Sequence, residues 1–324
     1  MNDVLVDRAP DRPASYLHDR VYLEASQILE PDERLCFVNA DGDGSGDAVI
    51  PVVRRGLPDG RFDLRTPTGF PGPARPNAFV ARWSDVARRL QALGCVSVYL
   101  QCRGEVTGHA WSRQERATVD MGRWRSVYTM DLTADFDAIR ARCRRDTRQR
   151  LNKILREEHE VHDTPSPAFA DAYGRLAARS GFSSLYTLDA TRFSAMAVAS
   201  HLRYTEVRAV GSARFIGGAF FGGRGEVADF VYSACDETWP NAARTVLLHV
   251  IKAARAAGYA RLNLGGGIAE GDALAQFKAS FGTVEERWST VRAITDPEAA
   301  ARLTGRAPDA DWFAGYFPPY RRAA

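Results

Sequence analysis

The sequence predicts an α/β protein of two similar modules in tandem, each built of a mixed, mostly antiparallel sheet flanked by helices. With 324 residues, the chain is long enough for two domains of ordinary size. Its content of 45% hydrophobic and 26% charged residues is typical of a soluble globular protein. Helical and strand-like patterns follow one another in the same order in both halves, although no stretch of sequence is repeated.

The first half of the chain alternates between helices and strands. A helix over residues 19–29 is stopped by Pro31, and another begins near Trp83 and is stopped by Gly94. Between them, TPTGFPGPARP (residues 66–76) is too rich in Pro and Gly for a regular element, so we predict a loop or a linker there. Strands are predicted at residues 35–39, at 48–53 after the turn-rich DGDGSGD, and at 96–101.

The second half follows the same order of elements. It opens with the strand SVYTMDL and a strongly basic helix over residues 134–158. Further helices are predicted at residues 167–180, 189–199 and 241–257, and further strands at 205–210, 214–221, 226–234 and 260–264. We therefore expect an N-terminal domain over residues 1–130, a C-terminal domain over 131–292 and a final segment over 293–324.

Charge and composition exclude several classes of protein. The net charge is only +3, so any affinity for a polyanion has to come from a local patch. No apolar run approaches the roughly 20 residues that span a bilayer, and the N-terminus has no signal-peptide pattern. The five cysteines are scattered without a C-x-x-C pair, which indicates reduced thiols and a cytoplasmic location. His159 and His162 would point to opposite faces of a strand, so we expect no metal site there. We also expect no cofactor. No sequence pattern marks an oligomer interface, so the oligomeric state stays open.

A glycine-rich segment, LNLGGGIAEGDALAQFKASFG, covers residues 262–282. It fits neither G-x-G-x-x-G nor the phosphate loop G-x-x-x-x-G-K, which would need a lysine where Asp272 stands. Asp272 instead suits the N-cap of a helix, whose apolar stripe would consist of Leu274, Phe277 and Phe281. Lys278 lies beside that stripe. A tight turn for the glycines and an ordinary surface position for Lys278 remain open.

The basic helix is the main candidate for binding phosphate groups. RARCRRDTRQRLNKILR, from residue 140 to 156, holds eight Lys or Arg and a single acid, Asp146. Ile139, Cys143, Leu151 and either Ile154 or Leu155 supply a buried stripe, which leaves the basic side chains on the exposed faces. Phosphate contacts there would make binding steeply dependent on salt, and a solvated helix neutralised by EEHE is the alternative. The phosphate-binding candidates are Arg144, Arg145, Arg148 and Lys153.

Three patterns resemble the Fem-like aminoacyltransferases, a branch of the GNAT superfamily of N-acyltransferases. LNLGGG is similar to the family's strand and loop, DALAQFKASFG to its helix with a Phe-Lys pair, and TRQRLNKILREEHEV to its arginine-rich helix and following strand. TPTGFPGP, with Phe70, and FSSLYTL, with Tyr186, are weaker matches. The long helical hairpin of some members has no counterpart. The resemblance implies two tandem GNAT-like domains and a C-terminal segment that packs back on the first.

The resemblance also implies the reaction, in which an amine attacks the ester carbonyl of aminoacyl-tRNA and an amide forms. Lys278 would be catalytic by stabilising the oxyanion or holding the phosphates at the tRNA 3′ end. Phe277 would shape the pocket, and Gly265, Gly266 and Gly267 would let the backbone approach the acyl group. Asn263 would contact the substrate. Phe70, Tyr186 and the four basic residues above would contact substrates. The acceptor would be a nucleotide-linked precursor of peptidoglycan or a specialised metabolite such as an antibiotic.

Two alternatives to a tRNA donor remain open. One is a GNAT N-acyltransferase that uses acyl-CoA or a carrier-protein thioester. The stretch DETWPNAART argues against it, because it lacks the glycines that bind the CoA pyrophosphate and Pro240 removes one N–H. The other is a non-catalytic RNA-binding module, which the basic helix suits. Cys235 is expected to be a packed cysteine rather than a nucleophile, and nothing ranks Asp236 or Glu237 above other acids as a proton acceptor.

Overall fold

The computed structural model of the chain describes residues 4–7, 9, 15–40, 49–73, 76–106, 118–121, 123–183, 186–267, 269–307 and 309–321. The strands are β1 (Leu5–Val6), β2 (Glu33–Asn39), β3 (Val49–Gly56), β4 (Phe62–Arg65), β5 (Cys95–Gln101), β6 (Val119–Asp120), β7 (Trp124–Asp131), β8 (His159–His162), β9 (Leu202–Ala209), β10 (Phe215–Arg224), β11 (Val227–Cys235), β12 (Arg261–Asn263) and β13 (Val284–Ile294). The helices are α1 (Arg20–Ser26), α2 (Pro76–Ala81), α3 (Trp83–Ala92), α4 (Phe136–Arg142), α5 (Arg145–Ile154), α6 (Pro167–Ser180), α7 (Ala190–Met196), α8 (Ala242–Ala256), α9 (Ala273–Ala279) and α10 (Pro297–Thr304).

The chain divides into two compact units. Unit 1 consists of residues 1–18, 29–125 and 287–324, and unit 2 of residues 19–28 and 126–286. We predicted domain boundaries at residues 130 and 292. That the parts between these boundaries fold by themselves stays a prediction. No helix in the described part of the chain combines the length and the apolar composition needed to cross a membrane.

The sheet of unit 1 runs in the order β1-β2-β3-β4-β5-β13, with β6 paired to β13. Its strands are antiparallel except for β4 and β5, which run parallel and are connected through α2 and α3. The C-terminal segment packs in this unit, where Trp312 and Phe313 are buried against Val96 and Ile294. The Tyr320 hydroxyl lies 2.7 Å from Ser97 Oγ, so polar contacts also hold this segment.

The sheet of unit 2 runs in the order β7-β12-β11-β10-β9-β8. It too is antiparallel except for one pair, β11 and β12, which α8 connects. Each unit therefore has one parallel strand pair joined by a helical crossover in an otherwise antiparallel sheet. This confirms the predicted fold class of mixed, mostly antiparallel sheets flanked by helices.

Helices cover both faces of the sheet in unit 2. On β10, a Cβ atom added to Gly217 would meet Val246 of α8, whereas one added to Gly218 would meet Phe169 of α6. Successive residues of a strand point to opposite faces, so α8 and α6 lie on opposite sides. The α8 face forms an aliphatic core with α4 and α5, and the α6 face is aromatic, including Phe169, Tyr173, Phe193, Tyr204, Phe220 and Tyr232.

The basic helix is the largest error of the sequence-based assignment. We predicted one helix over residues 134–158, but α4 ends before Cys143 and α5 begins after Arg144, both of which have extended backbones. The reason is tertiary: the Arg144 amide donates a 2.8 Å hydrogen bond to the Ser280 carbonyl instead of continuing the helix. The buried stripe is confirmed, with Ile154 inside and Leu155 exposed.

Most other predicted elements match the structure to within a few residues. The predicted strand over residues 48–53 is found from Val49 to Gly56, and its first residue lies outside the described part of the chain. The turn-rich DGDGSGD also lies outside the described residues, as do Ala74 and Arg75 of the predicted loop.

Candidate functional site

Three glycines, Gly265 to Gly267, follow β12 and form a glycine turn on the way to α9. Gly265 has a φ angle of +71°, in the left-handed region that glycine tolerates best. A Cβ atom on Gly266 would overlap the Ser126 carbonyl oxygen, and one on Gly267 would overlap Asp272. The backbone conformation at Gly265 and the close neighbours of Gly266 and Gly267 therefore favour glycine, and the approach of these residues to an acyl group stays a prediction.

Asp272 caps α9 as the sequence predicts. One carboxylate oxygen accepts from the Ala275 amide at 2.8 Å, and the other accepts from the Ala269 amide at 3.0 Å. The predicted apolar stripe is partly wrong, because Leu274 is exposed and Ala275 is the buried residue of that turn. Phe281 is buried, and Phe277 packs against the same core.

The Lys278 side chain reaches back from α9 to the glycine turn. Its Nζ donates a 2.6 Å hydrogen bond to the Gly266 carbonyl oxygen. Burial lowers the pKa of Lys278 to about 8, against a smaller opposing effect of the Asp272 carboxylate. An ammonium group has three N–H donors, so the bond to Gly266 leaves two for a ligand. A desolvated cation of this kind is suited to stabilising an oxyanion.

Asn263 is buried beside the glycine turn and forms a hydrogen bond with it. Its side-chain oxygen accepts from the Gly265 amide at 2.9 Å, and its Nδ2 donates to the Asp229 carboxylate at 2.9 Å. Asn263 is 4% exposed and Asp229 is 6% exposed. This places Asn263 as a residue that positions the turn, and its contact with a substrate stays a prediction.

Sequence reasoning missed Asp229 and Thr129, which lie beside Asn263 on neighbouring strands. The register pairs Asp229 with Asn263 and Asn263 with Thr129, so the three side chains share one face. Thr129 Oγ1 is buried and has no hydrogen-bond partner among the described residues. The sequence signal for Asp229 was a charged residue in the middle of the apolar stretch VADFVY. Only the pairing of the strands could show that it lies beside Asn263.

Phe277 connects the turn to a second cation that the sequence analysis did not identify. The Arg244 guanidinium, from the first turn of α8, lies 5.2 Å above the centre of the Phe277 ring. The Phe281 ring lies 5.2 Å from the Phe277 ring in an edge arrangement. Phe277 is therefore held between an apolar core and a positive charge.

The predicted phosphate-binding residues lie on or next to α5. Arg144, Arg145 and Lys153 are exposed, and the Arg148 Nη1 donates to the Ala141 carbonyl at 3.0 Å. Two other basic residues of the segment have acidic partners: Arg140 pairs with Asp137, and Arg142 pairs with Asp131. Among the described residues, the ion-pair contacts of EEHE are those of Glu157 with His159 and of Glu160 with His162.

The two weaker candidates lie apart from the glycine turn in the chain. Phe70 belongs to unit 1, where its ring packs edge-on against Trp288 at 5.0 Å. Tyr186 belongs to unit 2 and is exposed, and its carbonyl accepts from the Tyr173 hydroxyl at 2.9 Å. Substrate contacts of Phe70 and Tyr186 stay predictions.

Other candidate groups have environments that do not suit them for catalysis. Burial raises the pKa of the Cys235 thiol to about 12, so it is not a thiolate at neutral pH. Hydrogen bonds from Thr238 and Arg214 lower the pKa of Asp236 to about 2, and Glu237 is paired with Arg179. Across the described residues, no group of three or more His, Cys, Asp and Glu side chains is placed to hold a metal ion.

Comparisons with known proteins bear on the fold. No protein-family model and no curated protein sequence matches the chain. Among solved structures it is similar to FemX, with 13% identity, a TM-score of 0.65, and 88% of this chain and 93% of that chain covered.

Two further solved structures resemble the chain over most of its length. One is the C-terminal domain of a putative lysylphosphatidylglycerol synthetase from Agrobacterium fabrum, with 14% identity, a TM-score of 0.53, and 91% and 92% of the two chains covered. The other is L-PGS from Bacillus licheniformis, with 14% identity, a TM-score of 0.52, and 85% and 86% covered. The chain therefore has a Fem-like fold, as its sequence motifs predict.

Proposed function

We propose that the protein is an aminoacyltransferase, which moves an aminoacyl group from aminoacyl-tRNA to the amine of an acceptor. The observation that carries the proposal is Lys278, a partly buried ammonium with spare donors, held against the glycine turn in a Fem-like fold. The names of the similar structures, FemX and lysylphosphatidylglycerol synthetase, support chemistry on amino acids rather than acetyl groups.

The reaction replaces an ester bond with an amide bond. The neutral acceptor amine attacks the ester carbonyl, and the carbonyl oxygen takes up negative charge as the C–N bond forms. The Lys278 ammonium stabilises that charge through its free N–H groups, in a site where burial strengthens the interaction. The C–O bond then breaks, the ribose oxygen gains a proton, and the amine nitrogen loses one. No covalent enzyme intermediate is needed.

A tRNA donor is favoured over CoA by the approach to α8. Residues 236–241 contain no glycine, and Pro240 has no N–H to offer a pyrophosphate. The exposed residues Arg144, Arg145 and Lys153 supply positive charge for a polyanionic substrate.

The acceptor class is a nucleotide-linked cell-wall precursor or a specialised metabolite, and the reaction would take place in the cytoplasm where charged tRNA is made. An acyl-CoA or carrier-protein donor is the second candidate. A non-catalytic RNA-binding module is the third, but it leaves the desolvated Lys278 without a role.

The test is transfer of labelled amino acids to a mixture of candidate amines in the presence of total tRNA and synthetases. It is run with and without ribonuclease, beside an assay with acetyl-CoA. We expect product that ribonuclease abolishes. Product that survives ribonuclease, or that forms only with acetyl-CoA, would establish the second candidate instead.

A pair of lysine variants separates the enzyme from the binding module. Lys278→Ala should abolish transfer with the fold retained, whereas Lys252→Ala, at an exposed position of α8, should leave transfer unchanged. Equal turnover of Lys278→Ala and the wild type would exclude Lys278 as a catalytic residue.

A further inference from the structure

Arg244 is a partly buried cation to which the described part of the chain supplies no counter-ion. Its Nε is buried and has no hydrogen-bond partner, and its guanidinium forms no ion pair with any described residue. Burial holds the pKa of Arg244 below its usual value, and the neighbouring charge of Arg150 acts in the same direction. Removing an unpaired charge from water is costly. This arrangement therefore favours the binding of an anionic ligand near Arg244.

Arg150, from α5, supplies the second positive charge. It is exposed, and its Nη1 donates a 3.0 Å hydrogen bond to the side-chain oxygen of Asn241, at the start of α8. The contact with Asn241 orients Arg150 towards the first turn of α8, which carries Arg244. Asp146 lies one turn before Arg150, and its charge raises the pKa of Arg244, against the larger effects of burial and Arg150. Among the described residues, Asp146 makes no salt bridge with either arginine.

A phosphate accepts several charged hydrogen bonds at once, so guanidinium groups from two neighbouring helices are suited to binding one. We propose that Arg150 and Arg244 bind a phosphate group of the acyl donor, beside the Phe277 ring. This inference rests on the proposed acyl transfer. It places the phosphate beside Phe277, the residue that precedes Lys278 in the chain.

The phosphate could belong to an RNA 3′ end or to CoA, because both are acyl carriers that contain phosphate groups. In the structure, side chains would replace the backbone N–H groups that a glycine loop provides at the start of such a helix. The site is thus a specificity feature of unit 2, whichever of the two donors it serves.

The experiment measures binding of two probes by the full-length chain. One is a fluorescent RNA hairpin with the single-stranded 3′ end of tRNA, titrated at several KCl concentrations, and the other is CoA. The variants are Arg150→Met and Arg244→Met. The control is Arg175→Met, an exposed arginine on α6, on the opposite face of the sheet.

We expect Arg150→Met and Arg244→Met each to weaken RNA binding about tenfold or more. Each should also lower the slope of log K against log salt by about 0.7, as expected for one lost phosphate contact on a single strand. Arg175→Met should bind as the wild type does. A purely structural role for the arginines would not change the salt slope.

The two probes separate this inference from the proposed donor. CoA binding that the two variants weaken, with no RNA binding, would support the phosphate site and refute the tRNA donor. RNA binding with the same affinity and slope in all variants would overturn the inference and leave the tRNA donor standing. Failure of the wild type to bind either probe would overturn the inference as well. If Arg244→Met does not fold, the exposed Arg150→Met decides the result.

Discussion

The sharpest prediction concerns the charge on Lys278. Burial lowers its pKa to about 8 from the usual 10.5. Between these two pH values the unfolded chain binds the proton and the folded chain does not. The stability of the wild type should therefore rise with pH across this interval, relative to a variant without the amine.

The size of the effect follows from the two pKa values. Each unit of difference between the two pKa values corresponds to about 1.36 kcal/mol. The free energy of unfolding should therefore rise by about 3 kcal/mol in total. Below pH 8 the cost of burying the ammonium is fully present in the folded state, and above pH 10.5 it is gone. Half of the folded molecules carry a neutral Lys278 near pH 8.

The assay is urea unfolding of the wild type and Lys278→Met at intervals from pH 6 to pH 10.5. Methionine keeps most of the apolar stem and cannot be protonated. The difference in unfolding free energy should be constant below about pH 7 and then move by about 3 kcal/mol in favour of the wild type. Lys252→Met controls for loss of an exposed lysine from unit 2. A difference that stays flat to pH 10.5 would show that Lys278 is not desolvated and would refute the reasoning.

Three further predictions concern the surroundings of the turn. Asn263→Ala removes two buried hydrogen bonds and should destabilise the protein by about 1–3 kcal/mol in thermal unfolding; an unchanged melting temperature would contradict the positioning role. Gly266→Ala should destabilise by about 1–3 kcal/mol because its Cβ meets the Ser126 carbonyl, whereas Gly174→Ala, with open space in α6, should stabilise by about 0.5–1 kcal/mol. Cys235→Ala should keep full transfer activity, and a tenfold loss would restore the thiol as a candidate nucleophile.

Several features of this protein follow from the sequence alone because their causes are local. The Asp272 cap depends on residues three positions apart, and the burial of Ile139, Cys143 and Leu151 on helical spacing. The Phe277–Lys278 pair and the glycine turn were recognisable as motifs. The order of helices and strands, and with it the fold class, came from the same local patterns.

The tertiary structure decided what depends on contacts between distant parts of the chain. The Ser280 carbonyl breaks the basic helix at Arg144, and strand register brings Asp229 to Asn263. The fold also places Arg244, from α8, over the ring of Phe277, from α9. Residues this far apart have no fixed relation in sequence spacing, so no periodicity could reveal them. The sequence determined which reactive side chains are available, and the fold decided which of them lie at the glycine turn and which hold that turn in place.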